Sequence, residues 1–91
     1  MSHTVTLNWV ASPDIPADTY DVYRGSAAGA ETTLLNSTPI SVTTYVDTNP
    51  PAGQSFYVVK SVQGSLISVP SNEISVQVPL QPPTNLVGVV A

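Results

Sequence analysis

The chain has 91 residues, enough for one domain and too few for two. Only Arg24 and Lys60 are basic, against six acidic residues, and the net charge of −4 argues against partners such as nucleic acid or anionic membranes. Without cysteine there is no disulfide, thiolate nucleophile or cysteine metal site. No cofactor is expected.

Short segments of alternating apolar and polar residues follow one another along the chain, and none has a helical period. Turn-forming clusters separate them at a spacing of about ten residues, which favours a β-sandwich. The six predicted strands are residues 4–10, 19–24, 32–36, 43–47, 56–62 and 73–78. A stiff proline-rich linker, 79–83, precedes a seventh predicted strand, 84–90.

The alternation also predicts which side chains face the core. The residues expected to be buried between two sheets are Trp9, Tyr20, Val22, Val59 and Val76. In the last strand before the linker, Ile74 and Val78 are predicted to share the inward face with Val76.

Several segments resemble those of a known family, both in their amino-acid sequence and in their order along the chain. They are HTVTLNW at 3–9, YDVYRG at 20–25, TTYVD at 43–47, FYVV at 56–59 and SNEI at 71–74. Together they resemble strands B, C and E, the start of F and the start of G of fibronectin type III domains, particularly bacterial and phage-type members. The resemblance covers about residues 3–79 and implies a seven-strand immunoglobulin-like β-sandwich.

The resemblance departs from the family at strand A. Family members begin with a Pro-x-x-Leu strand, whereas this chain begins at strand B and carries PPTNL at 82–86. The fold is therefore predicted to be offset or permuted at strand A. The expected organisation is a sandwich at 1–78, a linker at 79–83 and a strand-A-like segment at 84–91, which a neighbouring molecule receives.

A second departure concerns the tyrosine that the family places at the corner between strands E and F, hydrogen-bonded to the backbone. Either Phe56 or Tyr57 fits this position. If Phe56 holds it, the corner hydrogen bond is lost.

Residues suited to catalysis or metal binding are few. His3 is the one histidine, and no nucleophile elbow or phosphate-binding glycine loop is present, so the chain is predicted not to be an enzyme. Asp14, Asp18 and Asp21 invite a calcium hypothesis, but turn and strand roles explain them better. No metal site is predicted.

The segment between the last two predicted strands of the sandwich is more apolar than a loop requires. Leu66, Ile67 and Val69 either continue a hairpin or form a contact patch, and the hairpin is favoured.

The leading functional hypothesis is a structural module that associates with copies of itself or with a larger assembly. Donation of a strand formed by Leu86, Val87, Gly88, Val89 and Val90 would produce a head-to-tail contact. Eleven serines and ten threonines supply most of the polarity, and residues 1–4 lack the features of a signal peptide. These features favour a phage virion or surface-fibre component, located outside the cell or on the virion.

The alternative is a spacer or binding module from a secreted multidomain bacterial protein, such as a polysaccharide-degrading enzyme. In that setting, residues 84–91 would begin the next repeat. No sequence feature supports contact with carbohydrate.

Overall fold

The computed structural model describes residues 3–11 and 17–90. Those ranges contain seven strands and no helix, in agreement with the predicted all-β sandwich. The strands are β1 (Val5–Asn8), β2 (Thr19–Gly25), β3 (Thr33–Leu34), β4 (Thr44–Asp47), β5 (Gly53–Gln63), β6 (Leu66–Ile67) and β7 (Ile74–Val78).

The strands form two sheets. In the smaller sheet, β1 pairs antiparallel with β4, with Leu7 opposite Tyr45. In the larger sheet, β2 lies between β3 and β5, with Val22 opposite Val59. Both β6 and β7 pair with the remaining edge of β5, at its opposite ends. The central position of β5 follows from its β-branched and aromatic residues, which pack well on a pleated surface.

The edge strand along β5 is interrupted between β6 and β7. Pro70 has no backbone donor there, and serine hydroxyls replace part of the ladder. Ser68 Oγ accepts a 2.8 Å hydrogen bond from Ser61 N, and Ser71 Oγ accepts one of 2.9 Å from Val59 N. Residues 68–73 therefore follow the edge of β5 without forming a regular strand.

The core lies between the two sheets and is centred on Leu7, Val22 and Tyr57. Tyr20 and Val22, both predicted to be buried, are 4% and 0% exposed. Three other predicted core residues are only partly buried at the margin of this cluster, contrary to expectation: Trp9, Val59 and Val76. They lie at the margin because the smaller sheet has two strands and covers only part of the larger one.

Two local predictions need correction, and a third holds for the face of a residue but not for its burial. β5 begins at Gly53 rather than Phe56, because its first residues pair with β7 as far as Gly53 opposite Val78. Ile74 lies on the predicted inward face, opposite buried Tyr57, but it is exposed because no strand of the smaller sheet covers it. Residues 84–90 form no strand, because no partner strand pairs with them among the described residues.

The two ends of the sandwich differ in what they carry. One end, here called the hairpin pole, contains the turn of the β5–β6 hairpin, where Gly64 supplies the positive φ that a two-residue turn requires. Val10, just after β1, lies at the same end. The other end, the base, is where β1 begins and where β7 ends at Val78.

Candidate functional site

The outer edge of β1 has no partner strand in the described part of the chain. Trp9 N donates a 3.0 Å hydrogen bond to Thr43 O, extending the ladder with β4. Because backbone groups alternate in direction along an antiparallel strand, those of Val5, Leu7 and Trp9 face β4. The N–H and C=O groups of Thr6 and Asn8 therefore point to the open edge. Such an edge is a template for pairing with a further strand.

A groove runs beside this open edge, between the end of β1 and residues 71–74. It consists of two adjoining cavities of about 70 and 360 Å³. The residues that line both cavities are Asn8, Trp9, Val59, Ser71 and Asn72. Leu7 and Ile74 extend the apolar wall of the smaller cavity. The groove thus has an apolar floor beside unpaired backbone donors and acceptors.

Trp9 forms the centre of the groove wall. One side of its indole packs edge-on against Tyr20, with ring centroids 5.3 Å apart and planes inclined by 68°. Its Nε1 is buried and has no acceptor among the described residues. Buried polar groups are nearly always hydrogen-bonded in folded proteins. The groove wall therefore contains a buried indole donor with no partner among the described residues.

The C-terminal segment lies away from this groove. Leu80, Leu86, Val87, Val89 and Val90 are between 81% and 99% exposed. Asn85 adopts a φ of 59°, a left-handed conformation that asparagine tolerates better than most residues. The overall dimensions of 71 × 23 × 20 Å, with a radius of gyration of 17.4 Å against about 12 Å for a compact domain of this length, show that the segment projects from the body.

The fold has a clear relative among solved structures. A crystal structure described as a Fn3-like protein from Clostridium thermocellum is 32% identical in sequence, with a TM-score of 0.71. The match covers 87% of this chain and 80% of the other. The chain belongs to the fibronectin type III-like family. No family model matches the sequence, and no curated protein matches it.

The resemblance to fibronectin type III domains allows the strands to be matched to those of the family. By resemblance, β1 and β4 correspond to strands B and E, and β2 and β5 correspond to C and F. The predicted strand-A equivalent is the projecting segment that begins at Thr84. The groove along β1 is thus the place where the family resemblance puts a strand that the described residues do not supply.

Of the two candidates for the corner position, Tyr57 is the one whose side chain bonds to the other sheet. Tyr57 is 1% exposed, and its hydroxyl donates a 2.8 Å hydrogen bond to the Asp47 carboxylate. The acceptor is a side chain, whereas the family pattern implied a backbone group. Arg24 Nη1 donates to the same carboxylate oxygen at 2.7 Å, so residues from both sheets meet at Asp47.

The environment of this group shifts two pKa values. Burial acts to raise the pKa of Asp47, but hydrogen bonds from Tyr57 and Arg24 outweigh it and lower that pKa below its usual value. Burial is also the main cause that raises the pKa of Tyr57, and the adjacent Asp47 carboxylate adds to it. Asp47 is therefore ionised and Tyr57 neutral near pH 7, which suits a structural tie between sheets.

Asn36 has a structural role that the sequence analysis missed. Its side chain is buried beside β2, where Oδ1 accepts a 2.7 Å hydrogen bond from Val22 N and Nδ2 donates to Tyr20 O at 2.9 Å. The amide thus takes the place of a residue in a neighbouring strand. A polar residue after an apolar pair, Leu34-Leu35, was the available signal, but it also fits an ordinary turn.

The possible contact residues lie at the hairpin pole. Leu66 and Ile67 form β6 and pair with Gln63 and Val62, as the hairpin hypothesis predicted. Both side chains and that of Val69 are nevertheless exposed. Hairpin formation and availability for contact therefore coexist at these residues.

The acidic residues form no metal site in the described ranges, where no three His, Cys, Asp or Glu side chains are grouped suitably. Asp14 lies outside those ranges, so the calcium hypothesis remains untested. Glu31 and Glu73 form a carboxylate pair whose mutual hydrogen bond raises the pKa of Glu31 and lowers that of Glu73. Among residues 3–11 and 17–90, no helix has the length and apolar character to cross a membrane.

Proposed function

We propose that this fibronectin type III domain is a non-enzymatic structural module that assembles head to tail. Residues 84–90 of one copy would pair with the open edge of β1 in the next copy. The observation that supports the proposal is the presence, in one chain, of an unfilled groove at Trp9 and an exposed apolar segment with strand-A character. Strand addition at an open sheet edge is a recurrent mode of protein association.

The donated segment has the side-chain pattern that the groove requires. In an extended strand, Leu86, Gly88 and Val90 share one face, while Val87 and Val89 share the other. Placing the first face on the groove would bury Leu86 and Val90, contributing about 1.5–3 kcal/mol each by transfer of apolar surface. Gly88 has no atom within 4 Å of an added Cβ in the isolated chain, so its lack of a side chain is not required there. In the donated strand, the missing side chain of Gly88 would allow the backbone to approach the groove closely.

The point at which the segment leaves the domain favours a neighbouring copy over the chain's own groove. Strand β7 ends with Val78 at the base, and the C-terminal segment projects onward from there. Entering the next copy at its hairpin pole and running from Val10 towards Val5 needs no reversal of direction. Such a contact joins two different surfaces, so repetition gives an open fibre or a closed ring.

The decisive experiment compares association of the full chain with that of a chain lacking residues 79–91. Sedimentation velocity over a range of concentrations should show oligomers for the full chain and monomers for the truncated one. Trp9, the only tryptophan, reports on the groove directly. Adding a peptide of residues 79–91 to the truncated chain should shift its fluorescence to shorter wavelength as the indole loses water.

A matched pair of substitutions tests the face of the donated strand. Leu86→Asp should abolish association, whereas Val87→Asp should largely preserve it, because only Leu86 would face the groove. Both side chains are exposed in the isolated chain, so neither change should alter the melting temperature of the monomer. A full-length chain that stays monomeric at high concentration, with unchanged Trp9 fluorescence, would contradict the proposal.

A second function is favoured by the PPTNL pattern at 82–86, which is also how a following repeat would begin. In that setting the domain is a spacer or binding module within a longer secreted protein, and residues 84–90 complete the next domain of the same chain. Monomeric behaviour of the 91-residue chain, together with strand pairing when a second repeat is appended, supports this alternative. The self-assembling module would belong to a virion or surface fibre, and the spacer or binding module would belong to a secreted protein.

A further inference from the structure

The hairpin pole presents an apolar surface. Val10, Leu66, Ile67 and Val69 are each more than half exposed, and residues 62–70 include no charged side chain. Val10 and Leu66 line separate cavities that both include Ser61, near the end of β5. A largely apolar surface of this kind gains by contact with another apolar surface.

The base carries a surface of similar character. A shallow cavity of about 440 Å³ lies where the chain leaves β7. The residues that line it are His3, Asn49, Pro50, Ala52, Val78, Pro79, Leu80 and Gln81. None is acidic, lysine or arginine, and Leu80 is exposed on the first part of the linker. The cavity at the base therefore adds no acidic group to oppose exposed Asp18, whose backbone N donates to Val62 O at the hairpin pole.

The linker restricts the distance between these poles once a strand is donated. Residues 79–83 span at most about 18 Å when fully extended. Because a strand antiparallel to β1 enters the groove beside Val10, the donor's Val78 must lie within about that distance of the acceptor's hairpin pole. The donor's base then faces the surface formed by Val10, Leu66, Ile67 and Val69.

We propose that the hairpin pole is a docking surface for the base of a second copy of this chain, with Leu80 of that copy packing near Leu66. The proposal rests on the head-to-tail function above and adds a second contact to it. The pole contact fixes the angle between successive copies, whereas strand pairing alone fixes only their connection. Assembly would then depend on two separate surfaces of each molecule.

Cysteine cross-linking provides the direct test, because the chain contains no native cysteine. Full-length Leu66→Cys and Leu80→Cys proteins are mixed and oxidised, and each is also oxidised alone. The mixture should give a disulfide-linked heterodimer in high yield, with little homodimer from either protein alone. Leu34→Cys, which is exposed on β3 at the far edge of the larger sheet, replaces Leu66→Cys in the control mixture and should not cross-link.

Equilibrium measurements give an independent result. Leu66→Asp and Leu80→Asp should each raise the dissociation constant about tenfold or more, and the double variant should lose less than the product of the two effects because the side chains share one contact. The control Leu34→Asp should leave it unchanged. Monomer melting temperatures identify any variant that fails to fold.

The outcomes separate this inference from the proposed function. If deletion of 79–91 abolishes association but Leu66→Asp does not weaken it and no cross-link forms, the pole contact is wrong and strand donation stands. If association survives that deletion but Leu66→Asp abolishes it, strand donation is wrong. The contact between Leu66 and Leu80 is then wrong too, because the deletion removes Leu80. A cross-link between two Leu66→Cys molecules alone would indicate a two-fold contact and overturn the head-to-tail geometry.

Discussion

The hydroxyl of Tyr57 lies 2.8 Å from Asp47 Oδ2 and donates a hydrogen bond that joins β5 to the end of β4. These strands belong to different sheets, and Arg24 of β2 reaches the same oxygen. Asp47 Oδ1 also accepts a 3.2 Å hydrogen bond from Asn49 N. One carboxylate therefore fixes the spacing of the two sheets and the turn that follows β4.

Tyr57→Phe should lower the free energy of unfolding by about 1.5–3 kcal/mol, the usual range for a hydrogen bond to a charged group. The aromatic ring stays in the core, so the loss comes from the missing donor to Asp47. Urea denaturation followed by circular dichroism measures the change. Tyr23→Phe is the control, since that ring lies on the outer face under Lys60 and should cost less than about 0.5 kcal/mol. Equal losses for the two variants would contradict the assigned role of Tyr57.

Stability should fall at both pH extremes because of the same pair of residues. The folded-state pKa of Asp47 is lowered, so its contribution is complete above the unfolded value of about 3.9 and is lost as pH falls through the folded value. The folded-state pKa of Tyr57 is raised, so its contribution is complete below about pH 10 and is lost as pH rises above that value. Melting temperatures from pH 2 to 11 should show both limbs. Asp47→Asn should flatten the acid limb, and a profile identical to that of the unsubstituted chain would refute this cause.

Asn36→Ala should destabilise the domain by about 2–3 kcal/mol, because it leaves the Val22 N–H buried without its acceptor. Asn36→Asp keeps an acceptor for Val22 but loses the donor to Tyr20 O, so it should also destabilise. Ser37→Ala, at an exposed neighbouring position, serves as the control and should have little effect. Chemical denaturation of the three variants tests the prediction, and a neutral Asn36→Ala would show that solvent or another group satisfies Val22.

Gly25→Ala should destabilise the domain by about 1–3 kcal/mol, the cost of forcing extra volume into a packed site. A Cβ at Gly25 would lie 2.3 Å from Ala30 O, so the loop after β2 would have to move. Gly88→Ala is the matched control, because it meets no atom within 4 Å in the isolated chain. The melting temperatures of the two variants are compared at a low concentration, where the chains are monomeric. If Gly25→Ala has the same melting temperature as the unsubstituted chain, the contact with residues 30–31 is not tight.

The sequence by itself determined the architecture, because alternation and turn residues are local properties. The pattern around Val22 and Val76 followed from a period of two, and the segment FYVV located the central strand. The absence of cysteine excluded disulfides and thiolate chemistry, and the scarcity of basic residues argued against nucleic acid and anionic membranes as partners. The order of segments was enough to indicate the fibronectin type III family.

The tertiary structure decided what depends on two distant segments meeting. It showed that the hydroxyl of Tyr57 reaches Asp47, and it gave Asn36 its partners on β2. It also showed Trp9 at the margin of the core, since burial depends on how many strands cover a residue as well as on the face it occupies. Periodicity specifies the face of a strand, but hydrogen-bond partners and coverage are set by packing between segments far apart in the chain.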